Sequence, residues 1–349
     1  MLSPQNVHNA LQRALDMATQ GHRGANPLVG AVITDNTGHI VATGYHRGAG
    51  CEHAEIMALQ ALGTLSAQVA RTLNLLVTLE PCNHTGRTGP CAQAIANSGI
   101  GTVYYAVPDT TGAQGGAQFL RETGMAVHQV PDTTGRAVEL NHRWWRTVAE
   151  SRPFVTLKIA QSLDGRIAAP DSTSQWITSP AARAHAHQAL RARVDAIIVG
   201  TGTVVVDNPR LMARDTNDQP LSRQPARLIM GTRKLGARPA LAFDENWEQV
   251  GTHDPGQVLD HAYAAGHRHV LIEGGSQIAS AFLAADLVDE IYCYQAPTIL
   301  GAGLPSLNLA GVTTLSQARG FRTDAYNTQP VRRLGPDVLW HLEPLPGTR

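Results

Sequence analysis

Apolar positions set a helical period at the start of the chain. Val7, Ala10, Leu11, Ala14, Leu15 and Ala18 recur at the i, i+3, i+4 spacing that lines one helix face. Ser3-Pro4 supplies an N-cap and a first-turn proline, and Gly21 supplies the stop. Residues 28–34 and 40–45 are apolar runs split by Asp35-Asn36-Thr37-Gly38, which predicts two strands around a turn. A helix over 53–62, a buried strand over 75–79, a helix over 91–97 closed by Ser98-Gly99 and a strand over 102–107 continue the series. A helix, a short strand over 125–128 and a helix bearing Trp144-Trp145 complete it near Ser151. Pro153 disfavours helix in the residue before it, so the domain boundary is placed there, giving 1–151 and 152–349. From Phe154 a second series begins: strand, turn, helix from Pro180, strands over 196–199, 227–230 and 269–272, a helix, and a strand over 290–295. Helices alternating with apolar strands predict α/β architecture in both halves, with three layers in the first. Residues 215–224 and 237–255 are polar or irregular and are expected to be surface loops.

Composition changes this picture little. Of 349 residues, 43% are hydrophobic, enough for two sizeable cores. Lys plus Arg number 28 and Asp plus Glu 28, so the basic excess of a general nucleic-acid binder is missing and a small-molecule substrate fits better. Residues 1–20 lack a basic flank followed by an apolar core, so no secretory leader is expected, and no apolar run is long enough for a membrane span. Four cysteines, Cys51, Cys82, Cys91 and Cys293, are few for a disulfide scaffold and point to reduced thiols in a cytoplasm.

The chemistry begins at His53-Ala54-Glu55, followed by Pro81-Cys82 and then Cys91. One imidazole and two thiolates suit Zn²⁺ and leave a fourth position for a water whose pKa the ion lowers. Glu55 is then the proton carrier, from water to the ring nitrogen and the leaving amine. A lone His-x-Glu arises by chance, and a lone cysteine is most often a small buried apolar residue. The combination carries the assignment, because an apolar strand runs into Glu80-Pro81-Cys82 and a second cysteine opens a helix. Cys51 is expected at the pocket edge, since the ligand set is complete without it. Nucleobase deaminases share His-x-Glu plus Pro-Cys, with two residues between the cysteines. Here eight intervene, residues 83–90, in a polar loop that carries His84 and Arg87. Those two side chains suit a substrate phosphate; the alternative is an ordinary solvated loop.

In the second half, Ile272-Glu273-Gly274-Gly275-Ser276 ends a strand and opens a helix, a turn whose backbone N–H groups can approach a phosphate. By itself this is a weak signal, and a plain tight turn is the better reading of it alone. Met230-Gly231-Thr232-Arg233-Lys234 follows another strand and suits the 2′-phosphate of NADPH and a solvated turn equally.

Asn26-Pro27-Leu28-Val29-Gly30, His53-Ala54-Glu55 and the run from Glu80 to Cys91 resemble the deaminase half of the bifunctional riboflavin biosynthesis deaminase/reductase family, in which the eight-residue spacing is normal. The run from Leu157 to Arg166, Ser174-Gln175-Trp176-Ile177-Thr178-Ser179, Gly202-Thr203-Val204, Asp207-Asn208-Pro209-Arg210-Leu211 and Glu273-Gly274-Gly275 are similar to its reductase half. The resemblance implies a cytidine-deaminase-like domain followed by a dihydrofolate-reductase-like domain, with Zn²⁺ and NADPH as cofactors. It implies deamination of a diaminopyrimidinone carrying ribosylamino 5′-phosphate, then reduction of the ribosyl group to ribityl. It gives Asn26 contact with the pyrimidine and places His84 and Arg87 near the ribose phosphate. It assigns Ala160, Trp176, Thr203, Asp207, Thr232, Gly275 and Ser276 to NADPH, and Ser174, Arg191, Leu211, Arg214 and Glu273 to the substrate, with Lys158 on the strand bordering the same cleft. Arg210 stands where the family's motif varies and receives no role. Arg191, near a helix end, is by its own pattern equally a surface charge. A homo-oligomer, a dimer first of all, is expected.

Other histidines and tryptophans receive plain roles. His185 and His187 lie two apart on a helix and do not share a face; with His267 and His269 they are expected at the surface or an edge. Trp144 and Trp145 are expected to pack a domain joint. Three competitors differ in function: an RNA-editing deaminase, which would want short cysteine spacing and a basic face; a scaffold built on a dead enzyme, for which an intact Glu55 has no use; and a deaminase whose second domain only binds.

Overall fold

The computed structural model describes residues 2–21, 26–48, 50–84, 89–130, 134–215, 217–236, 239–324 and 329–345. The chain divides into two compact units, Met1–Ala149 and Glu150–Arg349.

The first unit runs α1 (Pro4–Ala18), β1 (Gly30–Thr34), β2 (Ile40–Tyr45), α2 (Ala54–Leu62), α3 (Ala67–Ala70), β3 (Asn74–Leu79), α4 (Cys91–Ser98), β4 (Thr102–Val107), α5 (Gly116–Glu122), β5 (Ala126–Gln129) and α6 (Thr134–Ala149). Ser3 caps α1 by accepting the Asn6 N–H at 3.2 Å. Among the described residues the unit has one five-stranded sheet, ordered β2-β1-β3-β4-β5. β1 is antiparallel to β2 and β3, whereas β3, β4 and β5 are parallel. β3 sits at the centre and is buried along its whole length, as expected of a strand covered on both faces. The apolar stripe of α1 packs on one face against Val32, Leu76 and Tyr104. On the other face α2 crosses β2 so closely that a Cβ on Gly44 would meet the Ala54 carbonyl oxygen at 2.2 Å.

The second unit runs β6 (Phe154–Gln161), β7 (Arg166–Ala168), α7 (Pro180–His185), a π-helical turn (Ala186–Arg191), β8 (Ala196–Gly200), α8 (Thr201–Asp207), β9 (Ala226–Met230), β10 (Trp247–Val250), α9 (Pro255–Ala264), β11 (His269–Glu273), α10 (Ser276–Ala284), β12 (Glu290–Gln295), β13 (Leu304–Pro305), β14 (Phe321–Thr323), β15 (Val331–Leu334) and β16 (Asp337–Pro344). Its main sheet is ordered β10-β9-β8-β11-β6-β12-β16-β14, with β15 also on β16. From β10 to β12 the strands are parallel, and β16 turns antiparallel. One core lies between the sheet and α9 and α10, the other between the sheet and the α7 segment. The C-terminal ends of six parallel strands therefore open on one edge, the edge where α/β sheets hold their ligands.

Three expectations need correction. Residues 237–255, expected to be loop, contain β10; this strand is four residues long and only partly buried at the sheet edge, so it lacks an apolar run. His269 is 8% exposed, and its Nε2 lies 2.8 Å from Thr156 Oγ1. His185 and His187 are half-buried and engaged, His185 Nδ1 with Tyr294 Oη at 2.8 Å and His187 Nδ1 with the Met212 carbonyl at 3.0 Å. Sequence spacing within one helix or strand says nothing of what packs over it, so these three histidines looked unemployed. Trp144 is buried, its ring 4.4 Å from that of Trp145.

Candidate active sites

In the first unit β3 delivers Glu80-Pro81-Cys82 at its C-terminal end, His53 is the N-cap of α2, and Cys91 is the first residue of α4. Three elements thus aim three donors at one point. His53 Nδ1 lies 3.2 Å from Cys91 Sγ and 3.6 Å from Cys82 Sγ. Ligands of one tetrahedral ion, with bonds of about 2.1 Å to nitrogen and about 2.3 Å to sulfur, stand roughly 3.6 Å apart, so the donor set fits zinc. The Cys91 thiol, and then His53, hold Cys82 down at about 4, and the Cys91 N–H donates to its sulfur at 3.4 Å. The same contact with Cys82, together with burial, pushes the Cys91 thiol up. Glu55, in the first turn of α2, is 3% exposed, and burial pushes its carboxyl up to about 7.

A second grouping of metal-type donors among the described residues, Glu290, Asp324 and His341, is buried in the other unit. Glu290 meets His341 Nε2 at 2.8 Å and Asp324 meets Nδ1 at 3.4 Å. The carboxylates flank opposite nitrogens of one ring, so the three side chains already satisfy one another.

Around the zinc donors, Asn26 Nδ2 lies 2.9 Å from His46 Nε2, and His46 Nδ1 lies 2.9 Å from the Glu52 carbonyl oxygen. A carbonyl only accepts, so Nδ1 carries the proton and Nε2 accepts from Asn26. His46 is buried, with its ring edge-on to His53 at 5.3 Å, and sequence reasoning missed it. A single histidine after a strand carries no pattern, and only the fold brings it to Asn26. Glu80 was also overlooked: its carboxylate accepts the Asp109 N–H at 3.1 Å and the Ala117 N–H at 3.0 Å, tying the loop before Cys82 to the start of α5. His84 and Cys51 are exposed, and Arg87 lies outside the described residues.

In the second unit most of the expected residues gather at the C-terminal ends of the parallel strands. Lys158 and Ala160 lie in the C-terminal half of β6, Thr203 in the first turn of α8 after β8, Thr232 follows β9, and Glu273, Gly275 and Ser276 bridge β11 to α10. Arg191 grips Glu273 through two bonds of 2.7 Å, so it is an interior ion pair and not a surface charge. Against the burial that would raise it, Arg191 and Lys158 hold the Glu273 carboxyl down at about 2, whereas burial and Arg191 lower Lys158. Ser174 Oγ lies 3.4 Å from Asp207 Oδ1, linking a residue expected on substrate to one expected on NADPH. Trp176 is 68% exposed, with the Arg183 guanidinium 4.4 Å over its ring. Leu211 is buried, Arg214 pairs with Asp218 at 2.9 Å, and Thr232 Oγ1 lies 3.2 Å from His253 Nε2. The Gly275 turn fits a cofactor phosphate: a Cβ there would meet nothing within 4 Å, and the buried Ser276 Oγ beside it lacks a hydrogen-bond partner.

Comparison with known proteins accounts for both units. Residues 4–107 match the cytidine and deoxycytidylate deaminase zinc-binding region, and residues 153–329 match the RibD C-terminal domain. The riboflavin biosynthesis protein RibD of Corynebacterium ammoniagenes is 42% identical over 319 residues, 89% of this chain and 92% of the relative. That of Mycobacterium tuberculosis is 38% identical over 342 residues, 97% of each chain. Among solved structures, Acinetobacter baumannii RibD superposes with a TM-score of 0.77 at 31% identity, covering 98% of this chain and 99% of that one. A Thermotoga maritima diaminohydroxyphosphoribosylaminopyrimidine deaminase/5-amino-6-(5-phosphoribosylamino)uracil reductase does so at 0.73 and 29%, with the same coverage.

Proposed function

The chain belongs to the bifunctional deaminase/reductase family of riboflavin biosynthesis, and from that premise we propose that Met1–Ala149 carries the deaminase centre and Glu150–Arg349 the reductase centre. It is a zinc- and NADPH-dependent enzyme with both activities. The observation that carries the proposal is the convergence of His53, Cys82 and Cys91 on one point beside the buried Glu55.

His53, Cys82 and Cys91 hold the zinc. Zinc held there would supply a polarised water of lowered pKa. Glu55 is the catalytic residue of deamination: its carboxylate takes a proton from the attacking water and returns protons to the ring nitrogen and the departing ammonia. Asn26, oriented by His46, contacts the pyrimidine, and His84 and Arg87 take the ribose phosphate. In the second unit NADPH, when bound, would supply the hydride for converting the ribosyl to the ribityl side chain. Ala160, Trp176, Thr203, Asp207, Thr232, Gly275 and Ser276 hold the cofactor, and Lys158, Ser174, Arg191, Leu211, Arg214 and Glu273 border the substrate. Two arms of one assay test the division: the purified chain with the diaminopyrimidine phosphate, followed by mass spectrometry with and without NADPH. Deaminated product accumulating without NADPH, and moving up by two hydrogens with it, is expected. Reduction without prior deamination overturns the order.

Two coarser readings accompany this. The cytoplasm is the proposed compartment, supported by four unpaired cysteines; no helix among the described residues is long and apolar enough to cross a membrane. A homodimer is proposed because Leu163 and Ile299 stand 57% and 72% exposed on loops joined by the Leu163 N–H to the Thr298 carbonyl, an apolar surface that a second copy would cover. Light scattering at the monomer mass would overturn it.

A further inference from the structure

The π-helical turn and the loop after α8 meet at one atom. The Met212 carbonyl oxygen accepts from His187 Nδ1 at 3.0 Å and from Arg191 Nη1 at 3.1 Å. Arg191 turns its other two nitrogens, Nε and Nη2, to Glu273 at 2.7 Å each. Met212 stands between Leu211 and Arg214, the two loop residues proposed to border the substrate. Leu211 has φ +54, the left-handed region that a leucine occupies only when its surroundings hold it there. On the far side Gln224 clamps Ala213, accepting its N–H at 2.8 Å and donating to its carbonyl at 2.9 Å. Met212 is therefore the point at which this loop is tied to the ion pair.

We propose that His187 is a positioning residue for reduction, holding the Leu211–Arg214 loop at the register in which it meets the sugar phosphate beside Arg191 and Glu273. A carbonyl can only accept, so His187 carries its proton on Nδ1. Burial, and then the Arg191 charge, lower the ring to about 4, so it is a neutral donor at physiological pH. Arg191 alone cannot replace it. Its guanidinium is fixed by two bonds to Glu273, and one remaining bond to Met212 allows the loop to pivot. His187 adds the second direction. The role rests on the assignment of Arg191, Leu211, Arg214 and Glu273 to the substrate.

The test uses the full zinc-loaded chain, NADPH and the deaminated phosphoribosylaminouracil. His187→Leu is expected to raise the substrate KM about two- to tenfold, the scale of one net hydrogen bond, with the KM for NADPH and the deamination rate unmoved. His187→Asn, whose amide nitrogen overlays Nδ1, is expected to restore the wild-type KM, and His187→Gln, whose amide overlays the other ring nitrogen, is not. Arg214→Ala runs alongside. If Arg214→Ala raises the KM and His187→Leu does not, the positioning role is wrong and the substrate assignment stands. If Arg214→Ala has no effect, the assignment falls and the role falls with it. Should His187→Leu lose NADPH binding through misfolding, the Asn and Gln variants decide, and equal KM values for the two overturn the proposal.

Discussion

The two centres are built on different plans. The proposed zinc donors are His53, Cys82 and Cys91 with Glu55 two residues beyond the first, all held by helix starts and one strand end. The proposed reductase residues run from Lys158 on β6 to Ser276 on α10, one or more at each of the ends of β6, β8, β9 and β11 and the rest on the segments between, joined by the Arg191–Glu273 pair. In the first, residue types at fixed spacing already specify the chemistry. In the second, parallel topology does the assembling, and each residue alone is ordinary. The lesson is that a metal centre tolerates almost no change at its ligands, whereas a strand-end site spreads its affinity over many modest contacts.

The largest effect that would break this contrast lies at the metal. Cys82→Ser is expected to lose zinc and deamination together while the chain still reduces the already deaminated substrate; elemental analysis and NADPH oxidation check the two halves. Loss of both activities in a folded protein would show that the centres are not separate. Glu55→Gln comes next: zinc is retained, deamination drops about a hundred- to ten-thousandfold, the worth of proton transfer by a placed side chain, and reduction is unchanged. An undiminished deamination rate would remove Glu55 from the mechanism.

The same contrast explains what the sequence disclosed. The strands and helices of the first unit were legible because their apolar periods are uninterrupted, as in the fully buried β3. The grouping of His53, Cys82 and Cys91, the proposed zinc donors, was legible because such an ion demands particular atoms at fixed spacing. His46 and Glu80 were not, since each acts through a partner distant in sequence, Asn26 for one and the Asp109 and Ala117 N–H groups for the other. In the second unit Arg191 looked like a surface charge because nothing in a helix tail announces a carboxylate 82 positions away. β13, β14 and β15 were passed over because short strands paired on one side carry no apolar run, and β16, though paired on both sides, because its burial alternates along the strand. Family resemblance supplied these reductase residues as a set, and the strand ends explain why they form one.

A smaller effect sharpens the strand-end plan at its cofactor side. Thr232, Arg233 and Lys234 follow β9, where α/β domains read the adenosine ribose. Replacing all three by alanine is expected to weaken NADPH about ten- to a hundredfold and leave NADH nearly unchanged, the scale of losing a charge-assisted phosphate contact. Steady-state kinetics with both cofactors checks it. An unchanged preference means that the turn is only solvated, and Thr232 then serves its contact with His253 alone.

The smallest expected effect separates the histidines of the second unit from its carboxylate by pH. Burial, and then neighbouring arginines, lower His185 and His187 to about 4 from the usual 6.5. The unfolded chain therefore takes up these protons first as the solution is acidified. Their contribution to stability is complete above pH 6.5 and is lost as pH falls from 6.5 towards 4. Glu273, held at about 2 against an ordinary 4.5, contributes stability that is present above 4.5 and lost between 4.5 and 2. Thermal unfolding of the full chain resolves the relevant transition, because NADPH raises the midpoint of the unit that binds it. That midpoint is expected to fall between pH 7 and 5, and to fall less in His187→Asn, which keeps the donor to Met212 and removes the titrating ring. Glu273→Gln should leave this upper window untouched and flatten only the lower one. If His187→Asn follows the wild-type curve from pH 7 to 5, the ring carries no share of the acid sensitivity, and His185, facing Arg332 and Tyr294, is left to account for it together with His267 and His269, which burial also lowers.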